Sequence, residues 1–100
     1  MKPLAGRRAL VTGAGLGIGQ GIAVELARQG ADVAVHYATS ATGAEETSAQ
    51  IRDLGGNAVT LQGDLRATSD CEQVVAAAVA ALGGLDILVN NAGVTRSQPF

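Results

Sequence analysis

The residues best suited to chemistry are glycines. Thr12-Gly13-Ala14-Gly15-Leu16-Gly17-Ile18-Gly19 follows the apolar run Ala9-Leu10-Val11 and precedes a stretch of helical spacing. Glycine permits positive φ and leaves bare backbone open to close approach. The start of a helix adds unpaired N–H groups and the positive end of its dipole, so a strand–glycine loop–helix unit suits a phosphate or pyrophosphate. A tight turn with no ligand would use the same glycines, but its place between a buried strand and an amphipathic helix favours binding. A P-loop is disfavoured, because no Gly-Lys-Ser/Thr follows and Lys2 is the only lysine.

The elements that must position this loop are legible as patterns. Ala9-Leu10-Val11, Val33-Ala34-Val35, Ala58-Val59-Thr60-Leu61 and Ile87-Leu88-Val89 are short apolar runs without in/out alternation. Such runs suit strands covered on both faces, as in a parallel sheet. Between them, Ile18, Ile22, Ala23, Leu26 and Ala27 share one helical face, and Val74, Val75, Ala78, Val79 and Leu82 share another. The middle stretch, about Thr42 to Leu54, is more polar and reads as a surface helix. Thr42-Gly43-Ala44-Glu45 and Ser69-Asp70-Cys71-Glu72 fit capping boxes, and Gly30, Gly55 and Gly83 stand where left-handed residues end helices. The expected order is β-α-β-α-β-α-β. Right-handed crossovers then give a Rossmann-type, doubly wound α/β sheet, here its first four strands and three helices in one domain part spanning residues 1–100.

Composition narrows the partners. The chain of 100 residues is 47% hydrophobic and 16% charged, with a net charge of −2. No basic run invites nucleic acid or an anionic membrane, no apolar run is long enough to span a bilayer, and no signal peptide is apparent. The lone Cys71 has no internal disulfide partner and fits a reducing cytoplasm.

The glycine spacing is Thr-Gly-x-x-x-Gly-x-Gly, anchored on Gly13, Gly17 and Gly19. Asp64-Leu65 follows the third strand and Asn90-Asn91-Ala92-Gly93 follows the fourth. With these three motifs in order, the chain resembles the short-chain dehydrogenase/reductase family from end to end. Asp86 to Arg96 looks most like the branch of 3-oxoacyl-carrier-protein reductases, although sugar and other alcohol dehydrogenases share much of it. The resemblance implies an oxidoreductase that moves hydride between a nicotinamide dinucleotide and a ketone or secondary alcohol, in a parent that is a homo-oligomer. It places the pyrophosphate and ribose over Gly13, Gly15, Leu16, Gly17, Ile18 and Gly19. Asp64 becomes the acceptor for the adenine amino group and Leu65 a backbone contact to the ring. Asn91 touches the cofactor ribose, Ala92 and Gly93 count among the cofactor-binding residues, and Asn90 braces the central strands through side-chain to backbone bonds.

Cofactor choice turns on Tyr37. NAD enzymes usually carry an acid about 20 residues beyond the glycine loop. Tyr37 stands there instead, with no carboxylate to repel a 2′-phosphate, which favours NADP over NAD. An arginine that the family's NADP members often place at Leu16 or Ala38 is absent. The groups left for a 2′-phosphate are His36, the hydroxyls of Thr39 and Ser40, and the start of the second helix. Otherwise His36 reads as a strand-end residue, Cys71 as inert, Arg7 and Arg8 as solvated charges, and Arg96 as having no catalytic role.

The family's catalytic Tyr-x-x-x-Lys pair is not in these residues. The only tyrosine is Tyr37, and Ala41 stands four positions later. The expectation is an N-terminal part of a longer enzyme, cut before its catalyst. The alternative is a non-catalytic nucleotide-binding or sensor protein of the same fold.

Overall fold

The computed structural model describes residues 2–66 and 68–91, with residue 68 described in its backbone alone. Seven elements follow in the expected order: β1 (Arg8–Val11), α1 (Gly17–Arg28), β2 (Asp32–Tyr37), α2 (Ala41–Asp53), β3 (Ala58–Gln62), α3 (Thr68–Leu82) and β4 (Ile87–Val89). All pairings are parallel, in the order β3-β2-β1-β4.

That order explains where the helices lie. The chain steps outward from β1 to β2 to β3, then crosses back over both to place β4 beside β1. With crossovers of one hand, a reversal of direction moves the connecting helix to the opposite face. Accordingly Ala9, Val11, Val33 and Val35 pack with Ala23 and Ala27 of α1 and with Ala44 and Ile51 of α2. The alternate strand residues Leu10 and Ala34 pack with Val74 and Ala78 of α3. β1 and β2 are covered on both faces, as their apolar runs require, whereas β3 and β4 are half-buried and Leu88 is 54% exposed.

Several local expectations are corrected. Ile18 is 71% exposed, and the buried stripe of α1 is Gly19, Ala23 and Ala27. Small residues at i, i+4 bring this helix close to the sheet and leave Ile18 turned away. Val79 is likewise exposed while Val74 and Ala78 are buried. The middle helix is not merely superficial, since Gly43, Ala44, Thr47, Ser48 and Ile51 are all buried. The capping boxes are displaced. α2 has Ser40 as its N-cap, without a side-chain cap bond, so Thr42 lies within the helix; α3 begins at Thr68, which puts Ser69 inside its first turn. Gly30, Gly55 and Gly83 do stand at the helix ends with positive φ.

Candidate functional site

The glycine loop leaves the C-terminal end of β1, an interior strand, and enters α1 beyond the carboxyl ends of the strands where the strand order reverses, the crevice in which open α/β sheets take ligands. Gly13 and Gly17 have φ of 63° and 56°. Gln20 is the first helical residue whose N–H closes onto the preceding turn, at the Leu16 carbonyl (3.3 Å). The N–H groups before it belong to the helix start, where an anion is the natural partner.

The loop's shape is imposed from elsewhere in the chain. From β2, the His36 imidazole accepts the Gly13 N–H at Nδ1 (3.1 Å), and the His36 carbonyl accepts the Ala14 N–H (2.8 Å). From α2, the Thr47 hydroxyl lies 2.9 Å from both the Ala14 and the Gly43 carbonyls. Beyond β4, Asn91 donates its amide to the Gly13 carbonyl (3.1 Å). Two glycines make room for these ties. A Cβ on Gly43 would overlap the Gly15 carbonyl, and one on Gly19 would overlap the Gly13 carbonyl. Gly19 is thus a packing residue beneath the loop.

Above the loop lies a cavity of about 450 Å³ lined by Gly13, Gly15, Leu16, Gly17, Ile18, Tyr37, Ala38, Thr39, Ser40 and Asn91. It brings together Gly13, Gly15, Leu16, Gly17, Ile18, Tyr37 and Asn91, seven of the residues expected to bind the cofactor, with Thr39 and Ser40, the hydroxyls suggested for a 2′-phosphate. Asp64 and Leu65 do not line it. Leu65 packs on the α3 side of the core. Asp64 accepts the Arg66 backbone N–H (3.0 Å) and its guanidinium (2.7 Å). Those bonds hold the Asp64 carboxyl below its usual pKa, side-chain bond first and backbone bond second. A carboxylate has about four lone-pair sites, so Asp64 keeps acceptor capacity for a further N–H. Ala92, Gly93 and Arg96 lie outside the described residues.

His36 is a further correction. It is 1% exposed, and both ring nitrogens are engaged, Nδ1 by Gly13 and Nε2 by the Gly63 carbonyl (2.8 Å). It therefore offers nothing to a 2′-phosphate. Among the described residues Asn90 does not make the side-chain to backbone bonds expected of a strand brace; its Oδ1 lies 3.3 Å from the Thr12 hydroxyl, which is also 3.3 Å from the Val89 carbonyl. The Cys71 thiol points to the Leu65 carbonyl (3.8 Å). Among the described residues no group of His, Cys, Asp and Glu could hold a metal ion, and no helix is long and apolar enough to cross a membrane.

A parallel sheet of this order, with a glycine loop opening its first helix, defines a Rossmann-type protein. Residues 7–100 match the family described as short chain dehydrogenase. The short chain dehydrogenase/reductase AacuN of Aspergillus aculeatus is 53% identical over 91 residues, covering 91% of this chain and 34% of the relative. The short-chain dehydrogenase/reductase homolog YusS of Bacillus subtilis is 48% identical over 92 residues, covering 92% and 84%. A dehydrogenase structure from Burkholderia cenocepacia with bound NADP superposes with a TM-score of 0.84 at 38% identity, covering 87% of this chain and 34% of that one. A 7α-hydroxysteroid dehydrogenase complexed with NADH and 7-oxo glycochenodeoxycholic acid gives 0.81 at 38% identity, with the same coverage. The chain belongs to the short-chain dehydrogenase/reductase family. It spans about a third of AacuN and most of YusS.

Proposed function

We propose that residues 1–100 are the nucleotide-binding part of a single-domain NAD(P)(H)-dependent oxidoreductase acting on a ketone or secondary alcohol, with 3-oxoacyl thioesters within the substrate class. The observation that carries this reading is the cavity over the α1 N-terminus, walled by glycine backbone on one side and by residues 37–40 on the other. Its residues fit a dinucleotide. Open backbone at Gly17, where a Cβ would meet no atom within 4 Å, leaves space for a pyrophosphate, and the helix N–H groups supply its partners. Asn91 lines the ribose side. Asp64 and Leu65, with Ala92 and Gly93, complete the set by family resemblance. The nicotinamide, when bound, supplies or accepts hydride.

NADP is the preferred cofactor in this reading. Among the described residues no carboxylate lines the cavity, and the Ser40 hydroxyl makes no cap bond at the start of α2. Thr39, Ser40 and that helix start are the groups for a 2′-phosphate. The free thiol of Cys71 agrees with a reducing, cytoplasmic setting, and a homo-oligomeric parent is part of the same reading. Calorimetric titration of NADPH and NADH into the protein tests it. NADPH should bind more tightly, and failure of both to bind would remove the reading.

A second reading, a nucleotide-binding protein without catalysis, is favoured by one observation. YusS is matched over 84% of its length although these residues contain no Tyr-x-x-x-Lys. Cofactor binding without oxidation of NADPH by any of a panel of ketones would select it.

A further inference from the structure

The interior of this sheet holds one imidazole, and both of its ring nitrogens face backbone groups. Beyond the register pairs Val11↔Val35 and Tyr37↔Gln62, β1 and β3 run out into two separate loops. His36 lies in the strand between them, and its ring reaches both: Nδ1 to the Gly13 N–H and Nε2 to the Gly63 carbonyl. We infer that His36 is a positioning residue that ties the glycine loop, which lines the cavity, to the loop carrying Asp64 and Leu65 outside it, setting the spacing of the two loops through one rigid ring. The inference rests on the nucleotide-binding reading above.

The chemistry of the partners requires this kind of side chain. A carbonyl can only accept and a backbone N–H can only donate, so Nε2 carries the proton and Nδ1 presents its lone pair. Lys and Arg offer donors alone, and an apolar residue of similar size would fill the space while leaving both backbone groups without their partner. The tie falls where the loop's conformation is decided. Gly13 has positive φ, its N–H is held by His36 and its carbonyl by Asn91. With both ends of that residue fixed, one from β2 and one from the segment after β4, Gly15, Leu16 and Gly17 follow as lining of the cavity. Gly63 directly precedes Asp64, and a Cβ added to it would overlap the Val74 side chain.

The test compares His36→Leu with His36→Asn. Leu keeps the volume and loses both bonds. Asn is smaller but its amide oxygen stands near the Nδ1 position and can accept the Gly13 N–H. A space-filling role makes affinity follow stability, with Leu at least as good as Asn. A positioning role reverses the order: Leu should weaken NADPH and NADH binding by roughly tenfold or more, the scale of a buried group left unpaired, and Asn should recover a large part of it despite a lower unfolding midpoint. Should Leu not fold, Ala replaces it, since Ala also leaves both groups open, and faster amide exchange at Gly13 in Ala than in Asn reports the lost tie. Wild-type affinity in Leu, or affinities that track stability, would overturn the inference while leaving the nucleotide site intact. A wild-type protein that binds neither cofactor would overturn both.

Discussion

Replacing Gly43 by alanine sets two opposed effects against each other at the glycine loop. Alanine in a helix is favoured over glycine by about 1 kcal/mol, so the change should stabilise α2 if nothing else intervened. The added Cβ, however, would overlap the Gly15 carbonyl and come within 3.3 Å of Leu16 Cδ2. The obstacle is backbone, so α2 or the loop must move, and overpacking of this kind costs about 1–3 kcal/mol. The net should lie between neutral and about 2 kcal/mol of destabilisation. Gly21→Ala is the control. Gly21 is exposed in α1 and its Cβ would meet nothing within 4 Å, so it should gain the full propensity term of about 1 kcal/mol. Urea unfolding of both variants measures the difference, and NADPH titration adds a second reading. Gly43→Ala should bind more weakly because Gly15 and Leu16 line the cavity, whereas Gly21→Ala should match the wild type. Equal stabilisation by both substitutions, with unchanged affinity, would refute the claim that α2 is seated on the loop.

Gly17→Val should abolish measurable cofactor binding by calorimetry. Because Gly17 has φ of 56°, the same change should also lower stability by about 1–2 kcal/mol. Tyr37→Asp should shift the ratio of affinities from NADPH toward NADH, since a carboxylate facing a 2′-phosphate can cost on the order of several kcal/mol; an unchanged ratio would show that residue 37 does not face that position. Ser48→Ala should raise stability by about 1 kcal/mol in urea unfolding, because the Ser48 hydroxyl is buried without a hydrogen-bond partner among the described residues. Arg66→Ala should move the Asp64 titration upward in pH, toward the ordinary carboxylate value, when followed by carboxyl NMR shifts. In the wild type the lowered pKa keeps Asp64 charged further into acid, so any contribution of its ionised form is present above the ordinary value and fades only as pH falls through the lowered one.

The sheet was legible because its strands are continuous apolar runs and its helices end on glycines, signals carried within a few residues. The motif positions were legible for the same reason: the glycine loop sits directly between a strand and a helix. What escaped depends on partners distant in sequence. The buried face of α2 consists of Gly43, Ala44, Thr47 and Ser48 beside Ile51, residues that hydropathy reads as solvent-facing but that close packing and a hydroxyl-to-carbonyl bond place inside. His36 does stand near the end of β2, but its two ring bonds escape a sequence reading because the partners, Gly13 and Gly63, are backbone groups 23 and 27 residues away, and no motif marks them. Helical spacing groups Ile18 with Ile22 and Leu26, yet Ile18 falls in the first turn of α1 and lines the cavity, beside the residues with which the family resemblance groups it.

The ties on the glycine loop also bear on the order in which the molecule folds. They come from residues 23, 33 and 78 positions away, so the loop has no finished shape until β2, α2 and the segment after β4 have docked. Long-range closures are the slow steps of folding. During refolding, helix signal should therefore return before nucleotide affinity does, and a ribosome-bound chain released only through α2 would carry every glycine of the motif without yet being able to hold the ligand.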